Sequence, residues 1–331
     1  MYNDAQIGKY DDNDNLTGGI VNSSFIDNKI VVESDSTDIK AQGGAIFTYN
    51  DLNIISDNGT SLFSGNKTVV NGEEKSDAIY AGENDTVITL QAVNKGLIQF
   101  DDKIDGENGY KLNINGDKNS AVVINNNINN ANISVEKTNL YVGNEDYLSN
   151  NESLFLQNAN INLINKNIGT IHNPEFALYG TTDISVEADL EKETMDRITA
   201  DEYFIHPDAI LNVKEISLLS DAVKNKTDIL FADEELAANV KYSGSSTVAY
   251  GNIWKYDVNY DPENGMFSFI RGAGSSANPS DDYNPAVLPS PVTTQAGAYT
   301  TQLQTYKCRR CKNQIRPAQR NSGCSRCKIY S

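Results

Sequence analysis

Apolar residues in this chain come in short alternating bursts rather than long runs. Val87 to Thr89, Ile98 to Phe100, Leu112 to Ile114, Val122 to Ile124 and Ile133 to Val135 all place apolar side chains on every second position. That is the period of a strand with one face turned inward. About ten to fourteen residues separate one burst from the next, with Asn, Asp and Gly between them. Leu154 to Leu156, Ile161 to Leu163 and Ile184 to Val186 continue the series. Three such strands make one coil of roughly twenty to thirty residues, the rung of a right-handed parallel β-helix. An antiparallel sandwich has strands of the same length and spacing. The lack of hairpin turn signals between the bursts favours the coil, and no helical heptads occur in this region.

Two segments near the start share a second pattern. Gly18-Gly19-Ile20-Val21 is followed by Phe25-Ile26-Asp27-Asn28, and Gly43-Gly44-Ala45-Ile46 by Phe63-Ser64-Gly65-Asn66. Glycine permits tight turns with φ values closed to other residues. The apolar step opens an inward-facing strand, and the phenylalanine fills the interior. An asparagine at a fixed place in a coil can hydrogen-bond the backbone, or the same asparagine one coil away. Phe25, Ile46, Phe63 and Phe100 are therefore expected inside and stacked, with Asn28 and Asn66 as a ladder. These residues resemble the repeat motifs of chlamydial polymorphic membrane proteins, whose passengers are autotransported to the bacterial surface.

A second resemblance follows. Ile184, Val186, Ala188, Asp189 and Leu190, then Asp196, Arg197 and Ile198, are similar to a recurring passenger rung of pertactin-type autotransporters. Ile229-Leu230-Phe231, then Tyr256, Val258, Tyr260, Gly265, Phe267 and Phe269, resemble the last rungs of such a passenger. An acidic amphipathic helix on a small separate domain is the other reading of 187–204. Residues 1–271 thus form the expected β-helix passenger. Residues 272–291, rich in Gly, Ser and Pro, read as a linker. Ala296, Tyr299, Leu303 and Tyr306 fall at helical spacing, so 292–306 reads as a short helix, which is where autotransporters place one before their barrel. Residues 307–331 are a Cys- and Arg-rich tail, for which a non-native end is one reading, so the C-terminal tail is expected to be disordered or briefly helical.

Composition supports repetition. Of 42 asparagines, 32 precede Pro174, a density that opposes helices and suits the turns between short strands. Hydrophobic residues make up 39% of the chain and charged residues 22%, enough for a narrow core. Formal charge is −18, but the tail carries eight Lys or Arg and no acid, so the first 306 residues hold 19 basic against 45 acidic groups. A body that acidic repels phosphate backbones and anionic lipid, which argues against nucleic-acid or membrane-surface partners. No apolar run reaches eighteen residues, and no alternating lipid-facing strands follow the linker, so no membrane insertion by this fragment is expected. The first residues have neither the basic start nor the apolar run of a signal peptide. Under the resemblance, the chain reads as a fragment beginning inside its gene.

All four cysteines lie in the tail, as Cys308-x-x-Cys311 and Cys324-x-x-Cys327. Two close thiolate pairs suit a tetrahedral zinc site. Disulfides in an oxidising compartment, or an out-of-frame end, are the other readings of these residues. A zinc knuckle with eight basic neighbours would bind nucleic acid. Elsewhere the candidates for chemistry are few. Asp101-Asp102 and the Asp11, Asp12, Asp14 group read as solvated turn charges, since adjacent strand residues point to opposite faces. His172 and His206 each sit beside a proline turn signal. Nucleophile, Walker, zincin and calcium-nonapeptide motifs are absent. No catalytic, cofactor-binding or metal-binding residue is assigned, and no cofactor. The family resemblance implies an adhesin or structural surface rod at the cell surface, the outer membrane or outside the cell, with an unknown host or neighbouring-cell ligand. A β-helix polysaccharide lyase or hydrolase is the alternative, marked by a carboxylate cluster beside Lys or Arg in a groove.

Overall fold

A computed structural model describes residues 9–10, 16–33, 41–251 and 254–272. Nearly all of the regular structure is β, and most of it is parallel. Two long sheets run along a coil. The first is built from Ile20–Val21, Leu52–Asp57, Val87–Val93, Tyr110–Gly116, Ala131–Glu136, Ser153–Gln157, Thr170–Tyr179 and Arg197–Ile205. The second takes Ser24–Ile26, Thr60–Ser64, Leu97–Phe100, Ala121–Ile124, Asn139–Val142, Asn160–Asn162, Thr181–Asp189, Ile210–Leu218 and Val240–Tyr242. A short third sheet, Ile46–Thr48, Ile79–Ala81 and Ile104–Gly106, closes the early coils. Successive strands of each sheet are one coil apart and parallel, the arrangement of a parallel β-helix. It excludes the sandwich and places strands, not a helix, over 187–204.

The repeat is uneven. Asn28 and Asn66 are 38 residues apart, Asn139 and Asn160 only 21, and Asp183 and Asn212 29. Alternation survives this because register is set by the inward residues. Ile88, Leu112, Ile133 and Leu154 lie in one column, all essentially without solvent contact. Extra residues leave the coil as loops between the sheets. Asparagine marks many corners: Asn22, Asn58, Asn94, Asn130 and Asn158 all take positive φ, a region its short side chain tolerates better than most.

Antiparallel features depart from the expected all-parallel coil, including short pairings of Lys9–Tyr10 with Leu16–Gly18 and of Ala188–Asp189 with Thr194–Met195; two are larger. Asn71-Gly72, with φ of 50° and 85°, turns Lys67–Val70 back on Glu73–Ser76. This Asn-Gly pair is a hairpin signal that the sequence analysis passes over. Past Leu218 the coil adds only Val240–Tyr242, and a four-stranded antiparallel sheet of Lys226–Leu230, Met266–Arg271, Trp254–Asp261 and Thr247–Tyr250 takes over. Its inner face packs Phe231, Phe267, Phe269 and Tyr256 against the last coil. The residues likened to final rungs thus sit in antiparallel pairs, where tight turns such as Asp261 to Gly265 replace long crossovers.

Candidate functional site

The motif residues of the first coils converge. Phe25, Phe63 and Phe100 lie in register on the second sheet, with ring centroids 4.8 and 4.3 Å apart and nearly parallel planes. Phe63 and Phe100 are fully buried, whereas Phe25, in the first described coil, is half-buried. Ile46 is interior too, but in the third sheet, stacked on Ile79 rather than on a phenylalanine. Beside the rings runs the amide ladder. Asn28 Nδ2 donates to Asn66 Oδ1 at 2.7 Å, and Asn66 Nδ2 donates to the Phe25 carbonyl at 2.9 Å and to Asp102 Oδ2 at 2.7 Å.

Asp102 corrects the reading of a solvated charge. It is buried, stands two residues after its phenylalanine where Asn28 and Asn66 stand three after theirs, and joins the ladder by accepting the Gly65 and Asn66 backbone N–H groups. Those donors and the Asn66 amide replace the water it loses. Asp101 faces elsewhere, accepting Gln99 Nε2 and Asn125 Nδ2, so the two carboxylates share no site. Gly43 takes a φ of +68°, as its motif requires, while Gly44 is demanded by space: a Cβ there would lie 2.4 Å from the Asp77 carbonyl.

His172 stands within a strand rather than at a turn, its ring Nδ1 3.0 Å from Thr199 Oγ1. His206 follows the end of Arg197–Ile205 and packs on Tyr179, centroids 5.4 Å apart. Asp11, Asp12, Asp14 and the four cysteines lie outside the described residues, as do 273–291 of the linker and the segments after it.

A concavity lies where the last coils meet the terminal sheet, a groove of about 540 Å³ lined by Gly169, Asp189, Glu193, Met195, Arg197 and Ile229 among others. It has the carboxylates and cations that a glycan-active site would need. Asp189, Glu193, Lys192 and Arg197, however, are already engaged. Asp189 holds Lys192 at 2.8 Å, Glu193 pairs with Lys224, and Arg197 grips Asp233 at 2.6 Å.

Behind the groove lies a set of buried acids that no sequence pattern indicated: Glu187 and Asp196 face each other across a short antiparallel return of one coil, and Glu145 comes from an earlier one. Asp196 accepts the Glu187 N–H at 2.6 Å and the Gly169 N–H at 3.1 Å. Glu187 accepts the Asn165 and Lys166 N–H groups, and Glu145 Oε1 accepts Asn165 Nδ2. Glu145 Oε2 has no partner and faces the bare Gly169. Burial, reinforced by the Glu145 charge, pushes the Asp196 carboxyl up to about 8; burial also raises Glu145 and Glu187. A proton therefore neutralises Asp196 at neutral pH. With no solvent access and both oxygens on backbone donors, it pins the 165–169 loop and cannot reach a substrate. Among the described residues, no group of three or more His, Cys, Asp or Glu is placed to hold a metal ion.

No family model matches the chain, and no curated protein matches its sequence. Among solved structures, the crystal structure of the Haemophilus influenzae Hap adhesin is similar over 76% of this chain at 10% identity, with a TM-score of 0.33. The chain spans 33% of that protein's length. A likeness of that grade carries no weight for function; the fold rests on the strand registers themselves.

Proposed function

We propose that this chain is a piece of a bacterial surface passenger of the autotransporter kind, serving as an adhesin or structural surface rod without catalysis. The observation that carries this reading is the stacking of its motif residues, Phe25 on Phe63 and Asn28 on Asn66, which Phe100 continues and Asp102 extends by hydrogen bonding. The residues that resemble passenger repeats are those that stack one coil on the next. Such a coil satisfies its own backbone groups strand by strand and lengthens by adding rungs. Its acidic, Asn-rich corners face water and keep a long surface soluble. No helix among the described residues is long and apolar enough to cross a membrane, which leaves anchoring by a barrel elsewhere in the protein open.

The groove gives the lyase or hydrolase alternative its best case, and its ion pairs weaken that case. Two measurements separate the readings. Beads coated with the purified chain should bind cultured host cells or neighbouring bacteria saturably, and free chain should compete. Incubation with polygalacturonate and other acidic polysaccharides should release neither unsaturated products nor reducing ends. Turnover abolished by Arg197→Ala or Asp189→Asn would overturn the adhesive reading. Metal analysis addresses the tail: bound zinc lost on Cys308→Ser would assign a knuckle to Cys308, Cys311, Cys324 and Cys327.

A further inference from the structure

The outer face of the first long sheet is polar in Tyr110–Gly116 and Ala131–Glu136 and changes at its last three strands. There Phe155 lies in register with Ala177, and Ala177 with Phe204. One column therefore alternates ring, methyl, ring. Two strand spacings set the Phe155 and Phe204 backbones about 10 Å apart, with only a methyl group between them. Ring contacts join Phe155 to Tyr179 and Tyr179 to His206, each at 5.4 Å, along one side of this slot. Phe204 is 46% exposed and Tyr179 42%. On the other side Glu175 and Glu202 are in register on adjacent strands, both exposed. Like charges directly opposed destabilise a sheet. Neither glutamate has an ion-pair or hydrogen-bond partner among the described residues.

We infer that this face docks a cationic peptide segment, with an arginine side chain inserted over Ala177 between Phe155 and Phe204. The guanidinium would stack on the rings and meet Glu175 and Glu202 through charge-assisted hydrogen bonds. A second copy of this chain is a poor occupant, because 45 acidic groups against 19 basic ones in the first 306 residues make two such bodies repel. Arginine fits better than lysine because its planar, weakly hydrated fork both stacks on aromatic faces and pairs bidentately with carboxylate. This inference supplies a partner class for the adhesive reading. Its test reads peptide binding by purified protein, so it can fail while the surface role stands, and the reverse.

The probe is a fluorescein-labelled dodecapeptide of alternating arginine and glycine, with a lysine-glycine counterpart, titrated with the full chain and followed by anisotropy. One saturable site is expected, with arginine favoured over lysine by about tenfold. Ala177→Leu fills the slot and should weaken the arginine peptide about tenfold or more. Phe204→Ala, which trims an exposed ring, should do the same without touching the core. Glu175→Gln with Glu202→Gln should erase most of the salt dependence, whereas Glu83→Gln, on a distant turn, should change nothing. Equal binding of both peptides, insensitive to Ala177→Leu and Phe204→Ala, would reduce the effect to general attraction by an acidic chain and overturn the inference. Absent peptide binding would overturn it too, as would capture of a neutral oligosaccharide in its place.

Discussion

Phe63→Ala removes the middle ring of a three-ring stack and so tests whether neighbouring coils hold each other. Phe63 is fully buried, with rings at 4.8 Å on one side and 4.3 Å on the other. Its loss leaves a void that rigid neighbouring strands cannot close, so the cost should be about 3–5 kcal/mol. Phe25→Ala, at a half-buried end of the stack with one ring neighbour, should cost about half as much. The chain offers two probes for urea unfolding. Far-UV circular dichroism reports the coil, while the single tryptophan, Trp254, reports the terminal sheet, where Arg271 covers its ring at 4.1 Å. Coil stability is close to a sum over neighbouring rungs. The dichroism transition should therefore shift to lower urea while the tryptophan transition stays near its place. A cost below about 1 kcal/mol, or one equal to that of Phe25→Ala, would refute the stacking argument. Equal movement of both transitions would refute the local coupling.

Asn66→Asp places a second carboxylate where Asn66 Nδ2 meets Asp102 Oδ2 at 2.7 Å; thermal melts should show a loss of about 2–4 kcal/mol at pH 7, partly recovered at pH 4. Gly44→Ala should lower the melting temperature more than Gly72→Ala, since a Cβ at 44 strikes the Asp77 carbonyl at 2.4 Å while one at 72 meets nothing within 4 Å. The buried acids make stability fall as pH rises: Asp196 is raised from 3.8 to about 8, so its contribution is complete below pH 3.8 and is lost as pH climbs through 8. Glu145 and Glu187 shift in the same direction, so melts should show higher stability at pH 5 than at pH 8.5. Asp196→Asn should flatten most of that difference, at the loss of one of two backbone hydrogen bonds; an unchanged slope would assign the pH dependence elsewhere.

The core and its stacking were legible because they repeat. Phe25, Phe63 and Asn66 sit at comparable points of two similar segments, and a repeated residue type in a coil must meet its own copy. The ladder's third member was not legible, since Asp102 differs from asparagine both in type and in its distance from the phenylalanine, and only its hydrogen bonds to Gly65 and Asn66 place it there. Asn139 and Asn160, bonded at 2.8 Å one coil apart, were readable from their spacing once the coil length was known. The hairpin at Asn71-Gly72 carried an ordinary local signal, overlooked in favour of the global pattern.

Alternating apolar triplets, asparagine at the corners and the paired glycines determined short half-buried strands and the turns between them, because each follows from local geometry: strand period, positive φ and close backbone approach. That the strands run parallel was decided by their registers. What the tertiary structure alone decided involves residues that no sequence period links. Glu145, Glu187 and Asp196 become one buried acid set, and the outer column of Phe155, Ala177 and Phe204 becomes a slot beside two unpaired glutamates. Coil lengths that vary from 38 to 21 residues decide which side chains become neighbours. Those lengths are set by where loops leave the coil, and the residues of a loop carry no period from which that place can be read.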